Sequence, residues 1–148
     1  MAHLIFDIVI AVTTISLVIL RIRDSRSVEQ LRNNITLYKQ RRAIFDEIRV
    51  FLADILVYDK IDSARIEEFY RNTKEARALF GAKIDTLIDE IRSKSSELVR
   101  LKITIEKMNT GTRAHHEKIV KHDEIKGWIK DTLDCMNQTF GEYINLVE

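Results

Sequence analysis

No proline occurs anywhere among the 148 residues of this chain, and only four glycines do. Proline and glycine punctuate tight turns, strand edges and loops, so a chain nearly free of both is left with long, uninterrupted helices. The length suits one domain, or a small domain with an appendage. With 45% apolar and 32% charged residues there is enough apolar surface for a helical core, and a formal net charge of +1 gives no global argument for binding nucleic acid. A single cysteine, Cys135, excludes an internal disulfide framework and a zinc site built from several thiolates.

The apolar residues are unevenly spread. Residues 4–20 read LIFDIVIAVTTISLVIL, 13 apolar residues in 17, interrupted only by Asp7, Thr13, Thr14 and Ser16. At about 1.5 Å per residue this covers roughly 25 Å, the short end of a membrane-spanning helix. Only Met1, Ala2 and His3 precede it, and Arg21 follows without a small-x-small cleavage site, so the pattern reads as an anchor and not as a removable leader. Arg21, Arg23, Arg26 and Arg32 lie just beyond it, and this excess places the bulk of the chain in the cytoplasm with the N-terminus outside. Two competing readings are a buried core helix and a helix lying flat on the bilayer. Asp7, Thr14 and Arg21, spaced by seven, share one side of the helix; in an oligomer that side would face inward and could line a pore. In a lone anchor Asp7 would instead sit wet among the outer headgroups.

Beyond residue 23 the spacing is helical and charge-rich throughout. Val28, Leu31, Ile35, Tyr38, Phe45, Ile48, Leu52 and Ile55 mark the apolar side of a helix over residues 24–58. Asp62 suits an N-cap, with Ile61 and Ile66 placed for a hydrophobic staple. From there Ile66, Phe69, Thr73, Ala76, Phe80, Ile84, Leu87, Ile91, Lys94, Leu98, Leu101, Ile105 and Met108 alternate three and four apart, about six heptads, predicting one helix over residues 62–108. Gly111 and Thr112 supply a stop and a fresh N-cap for a helix over residues 112–146, with Ile119, Ile125, Trp128, Ile129, Leu133, Met136, Phe140, Tyr143 and Ile144 on its buried side. The expectation is an all-α chain: a transmembrane anchor at residues 1–22 and a cytoplasmic unit at residues 23–148, folded as an antiparallel three-helix bundle or coiled coil. The long middle helix would carry the 109–112 turn back toward the membrane and leave the 58–62 turn at the far tip. Charge is partitioned as well: residues 21–50 hold eight Lys/Arg against four Asp/Glu, and residues 130–148 hold one against four.

Chemistry-bearing motifs are sparse. No glycine-rich phosphate-cradling pattern occurs. His115, His116 and His122 with Glu117 and Asp123 form a metal-like cluster that lacks ligands from a second element, and it reads as a solvated helix start. Cys135 has no neighbouring base and reads as a small apolar filler. Lys39, Arg41 and Arg42 form a basic patch beside Tyr38 that could touch lipid headgroups, a protein partner or RNA, against the plainer reading of a solvated stalk. In EARALFG, residues 75–81, Arg77 flanks the seam beside Phe80 and Gly81. A glycine inside a helix costs about 1 kcal/mol against alanine, so a close helix crossing would explain it, and Arg77 could pair with Glu47 or Asp54 on the facing helix.

The strings LYKQRRAIF (residues 37–45), IEEFYRNTKEARALFG (residues 66–81) and a late helix with Trp128 and an F-x-x-Y at Phe140 and Tyr143 resemble a group of short, uncharacterised bacterial helical proteins, many with an N-terminal hydrophobic helix. In that group the central string reads closer to ARFLFG and a proline precedes the final tyrosine; here Ala78 and Glu142 stand in those places. The resemblance, over residues 37–146, implies the helical architecture and supplies no catalytic residue.

Together these features predict a bacterial inner-membrane, single-pass scaffold or interaction protein without enzymatic activity, acting by self-association or by docking a protein partner. No cofactor, metal or small-molecule substrate is expected, and the lipid bilayer is the one partner named by composition. The alternative is an oligomeric, membrane-perturbing effector or small channel, with Asp7, Thr14 and Arg21 lining the pore and the cytoplasmic bundle gating it.

Overall fold

The structure, a computed structural model, describes residues 2–58 and 61–144, with side chains described from residue 29 onward. The chain divides into two units, Met1–Leu37 and Tyr38–Glu148. Among the described residues every regular element is a helix: α1 (Ala2–Tyr58), α2 (Ser63–Thr73), α3 (Ala76–Phe80), α4 (Ala82–Lys107) and α5 (Arg113–Ile144). None of these is long and apolar enough to cross a membrane among the described residues. The side chains of the 4–20 stretch expected to do so, including those of Asp7, Thr14 and Arg21, lie outside the described residues.

The first unit is helical, and of its described side chains Leu31 and Ile35, one turn apart, are both exposed. The second unit holds the core. Ile44, Phe45, Ile48, Phe51, Leu52 and Ile55 of α1 are buried at three- and four-residue spacing, as the apolar register requires. They meet Ile66 and Phe69 of α2, Ile84, Ile88, Ile91, Leu98 and Leu101 of α4, and Ile125, Ile129, Met136 and Phe140 of α5 in one cluster. Phe51 and Phe69 stack at 4.1 Å between centroids, 16° from parallel.

The predicted caps are where the sequence puts them. The Asp62 carboxylate accepts the Arg65 backbone N–H at 2.8 Å, satisfying one of the free donors of the first turn of α2. The Thr112 hydroxyl likewise accepts the His115 N–H at 3.2 Å. α4 itself stops earlier, with Met108 as an extended C-cap, and Gly111, at φ +86°, takes the left-handed conformation in the turn that follows.

The single helix expected over residues 62–108 is instead three, and the expected three-helix bundle is corrected accordingly. α2 stops at Thr73, whose hydroxyl turns back onto the Phe69 carbonyl. α3 makes little more than one turn, and Gly81 then takes φ +82°, ψ −173°, a region open essentially to glycine alone. The apolar spacing runs across this elbow without a gap, from Phe80 to Ile84, so periodicity carries no mark of it. Past Gly81 the buried face of α4 is Ile84, Ile88, Ile91, Ser95 and Leu98, with Leu87 and Lys94 half-buried on its flank.

The elbow adds a reversal of direction. α1 runs away from Tyr38, α2 and α3 return, α4 runs away again and α5 returns, giving an up-down-up-down arrangement of four helical segments. The 109–112 turn therefore lies at the same end of the bundle as the start of α2, and not opposite it: Ile61, Asp62 and Ser63 line one cavity together with Val99, Ile103 and Glu106.

Candidate functional site

The three sequence strings that carry the resemblance meet at the other end of the bundle. Phe45 of α1 and Phe80 of α3 both make T-shaped contacts with Phe140 of α5, at 5.5 and 5.3 Å between centroids and 71° and 85° between planes. Tyr143, one turn on, packs edge-to-face on Phe80 at 5.4 Å. Such T-shaped contacts match the positive edge of one ring to the negative face of the next.

Arg41 closes the cluster. Its Nε donates to the Leu79 carbonyl at 2.9 Å and its Nη1 to the Tyr143 carbonyl at 3.3 Å, while the guanidinium carbon lies 5.9 Å from the Phe80 ring centre and 5.7 Å from that of Tyr143. Leu79 and Tyr143 sit in the last turns of α3 and α5, where carbonyls lack intrahelical partners and the helix dipole is negative. One cation thus caps two helix ends and ties both to α1. Partial burial, and then the hydrogen bond and charge of Glu142, hold the Tyr143 phenol above its ordinary value, with Arg41 opposing them.

The basic patch is consequently split among different tasks. Arg41 is half-buried in the clasp, Arg42 pairs with Asp46 at 3.1 Å and lies over Phe45, and Lys39 is exposed. The proposed packing site is divided too. Phe80 and Gly81 belong to the clasp end, whereas Arg77 is 77% exposed and reaches Asp85 at 3.6 Å. A Cβ built on Gly81 would meet nothing within 4 Å, so its backbone conformation, and not a close helix crossing, is what calls for glycine.

The partners expected for Arg77, Glu47 and Asp54, belong to Arg65. Its guanidinium stands 2.8 Å from Glu47, 3.7 Å from Asp54 and 3.3 Å from Glu68, and 5.3 Å from the Phe51 ring centre. Burial works against the charge, but Glu47 by hydrogen bond and charge, then Glu68 and Asp54, more than offset it and hold Arg65 above its ordinary value. Arg65 escaped the sequence reading although it has the same signal as Arg77, a basic residue one position from a seam residue, here Ile66. Ser95 escaped it as well; its hydroxyl is fully buried and has no hydrogen-bond partner among the described residues.

No three His, Cys, Asp or Glu side chains among the described residues are placed to hold a metal ion together. His122 sits against Asp123 at 3.1 Å, and Cys135 is exposed. The arrangement at the Arg41 end is suited to fixing helices: its charged centre is a guanidinium, which stays protonated, surrounded by rings and carbonyls. No family model matches the chain, and neither does any curated protein or solved structure.

Proposed function

We propose that this chain is a membrane-anchored, non-enzymatic helical scaffold of the bacterial inner membrane, whose bundle works by self-association or by docking a protein partner. The observation that carries the reading is the 4–20 stretch, 13 apolar residues in 17, followed at once by Arg21, Arg23, Arg26 and Arg32. The second unit supports it by having its own buried core. Kinship with the group of short bacterial helical proteins is part of the same proposal. It rests on the strings at residues 37–45 and 66–81 and on the Phe140 and Tyr143 pair.

Protease digestion of bacterial spheroplasts expressing the chain with a tag at each end tests the reading. The N-terminal tag should be removed and the C-terminal tag protected. Protection of the N-terminal tag, or recovery of the whole protein in the soluble fraction without detergent, would overturn it.

A further inference from the structure

On the outer side of the α4–α5 pair runs an open groove of about 450 Å³. Lys83, Leu87 and Glu90 line it from α4, and Trp128, Asp131 and Cys135 from α5. Each set extends over two helical turns, about 10 Å. Leu87 and Trp128 are only half-buried there, so the groove leaves apolar surface in water.

Its charges are polarised along its length. α4 and α5 run antiparallel, and the Lys94 ammonium lies 4.9 Å from the Trp128 ring centre, which fixes their register. Counting back from that contact, Leu87 is level with Cys135, Lys83 lies one turn to one side of them, Glu90 and Asp131 lie about one turn to the other, and Trp128 lies beyond the two carboxylates. Lys94 itself is not among the lining residues. None of Lys83, Glu90 and Asp131 is taken up in an ion pair among the described residues.

A surface with a positive residue on one side of Leu87 and two negative ones on the other is complementary in charge to itself after a half-turn. A two-fold axis through the level of Leu87 and Cys135 sets each Lys83 against the other copy's Glu90 and Asp131, twice over, and sets Leu87 against Leu87. Such a contact closes on itself and stops at two copies. We infer that this groove is the face through which the chain pairs with a second copy of itself, α4–α5 against α4–α5. The inference rests on the self-association reading above and names the surface that would serve it.

Light scattering of the full chain in detergent, separated by size, provides the test. The native chain should be a dimer. Lys83→Glu alone, and Glu90→Lys with Asp131→Lys, each set like charges opposite one another at both ends and should weaken pairing by at least about tenfold, with unchanged helicity because all three side chains are exposed. Mixing these two variants should restore a one-to-one dimer, and so should all three changes in one chain. Because Cys135 would lie near the axis in both copies, a short bis-maleimide should link native chains through that thiol and fail to link Lys83→Glu. If the charge variants stay dimeric and Cys135 is not linked, the surface is wrong while self-association stands. If the native chain is monomeric at every concentration, self-association falls with it, and the docking of a different partner is what survives of the proposed function.

Discussion

At the Arg41 end of the bundle α1, α3 and α5 meet ring against ring around Phe140, whereas at the opposite end α4 and α5 continue as a hairpin whose last buried residues are Leu101 and Ile125. The first end joins chain segments up to 102 residues apart through Arg41 and the Tyr143 carbonyl. The second joins residues 24 apart, through Lys121 and Glu97, with caps and half-buried apolar residues in between. Contacts remote in sequence have to be made by dense apolar packing, because they must offset a larger loss of chain entropy. A hairpin closed by a five-residue connection needs little more than its caps and a seam.

That contrast sets the order of three substitutions. Phe140→Ala should cost most, about 3–5 kcal/mol, because it strips the shared partner from Phe45 and Phe80; urea unfolding followed by circular dichroism measures it, and a loss no greater than that of an exposed side chain would break the comparison. Gly81→Ala should cost less, about 1–3 kcal/mol. The added methyl has open space, so the whole penalty is backbone conformation, and a neutral result would mean the elbow can relax at no cost. Lys121→Ala at the hairpin should cost least, about 0.5 kcal/mol for a partly exposed ion pair.

The last change carries a pH signature. The Lys121 hydrogen bond lowers the Glu97 carboxyl below the ordinary glutamate value of 4.5, with burial opposing and the charges of Lys121, Arg100 and Lys94 assisting. A lowered folded value stabilises above the unfolded one and is lost as pH falls through the folded value. Stability of the native chain should therefore drop on acidification below about pH 4.5 by more than that of Lys121→Ala, and parallel curves would remove the pair from the account.

Much of this fold is readable from residue types. Asp62 and Thr112 announce their helix starts because an N-cap is a local bond, made within three residues. The seam of α1 is readable because burial there follows helical period alone. The break at Gly81 is hidden because the spacing from Phe80 to Ile84 is what an unbroken helix would show, and the Ile88 and Ser95 positions of the true α4 face are hidden with it. The clasp is half legible: Phe80 and Gly81 stand out together as a packing site, and Arg41 stands out separately in a basic patch. That they meet is a matter of carbonyls 38 and 102 residues from Arg41, which no local pattern encodes.

The glycine elbow also changes how this chain can vary in length. In one continuous helix every added residue turns all that follows by about 100°, so a single insertion near Phe69 would swing Ile84, Ile91 and Leu98 out of the core. With φ +82° at Gly81 the rotational phase is reset, and α4 takes its orientation from its own packing. The chain can thus be edited upstream of the elbow while the face that α4 turns to α5 keeps its frame.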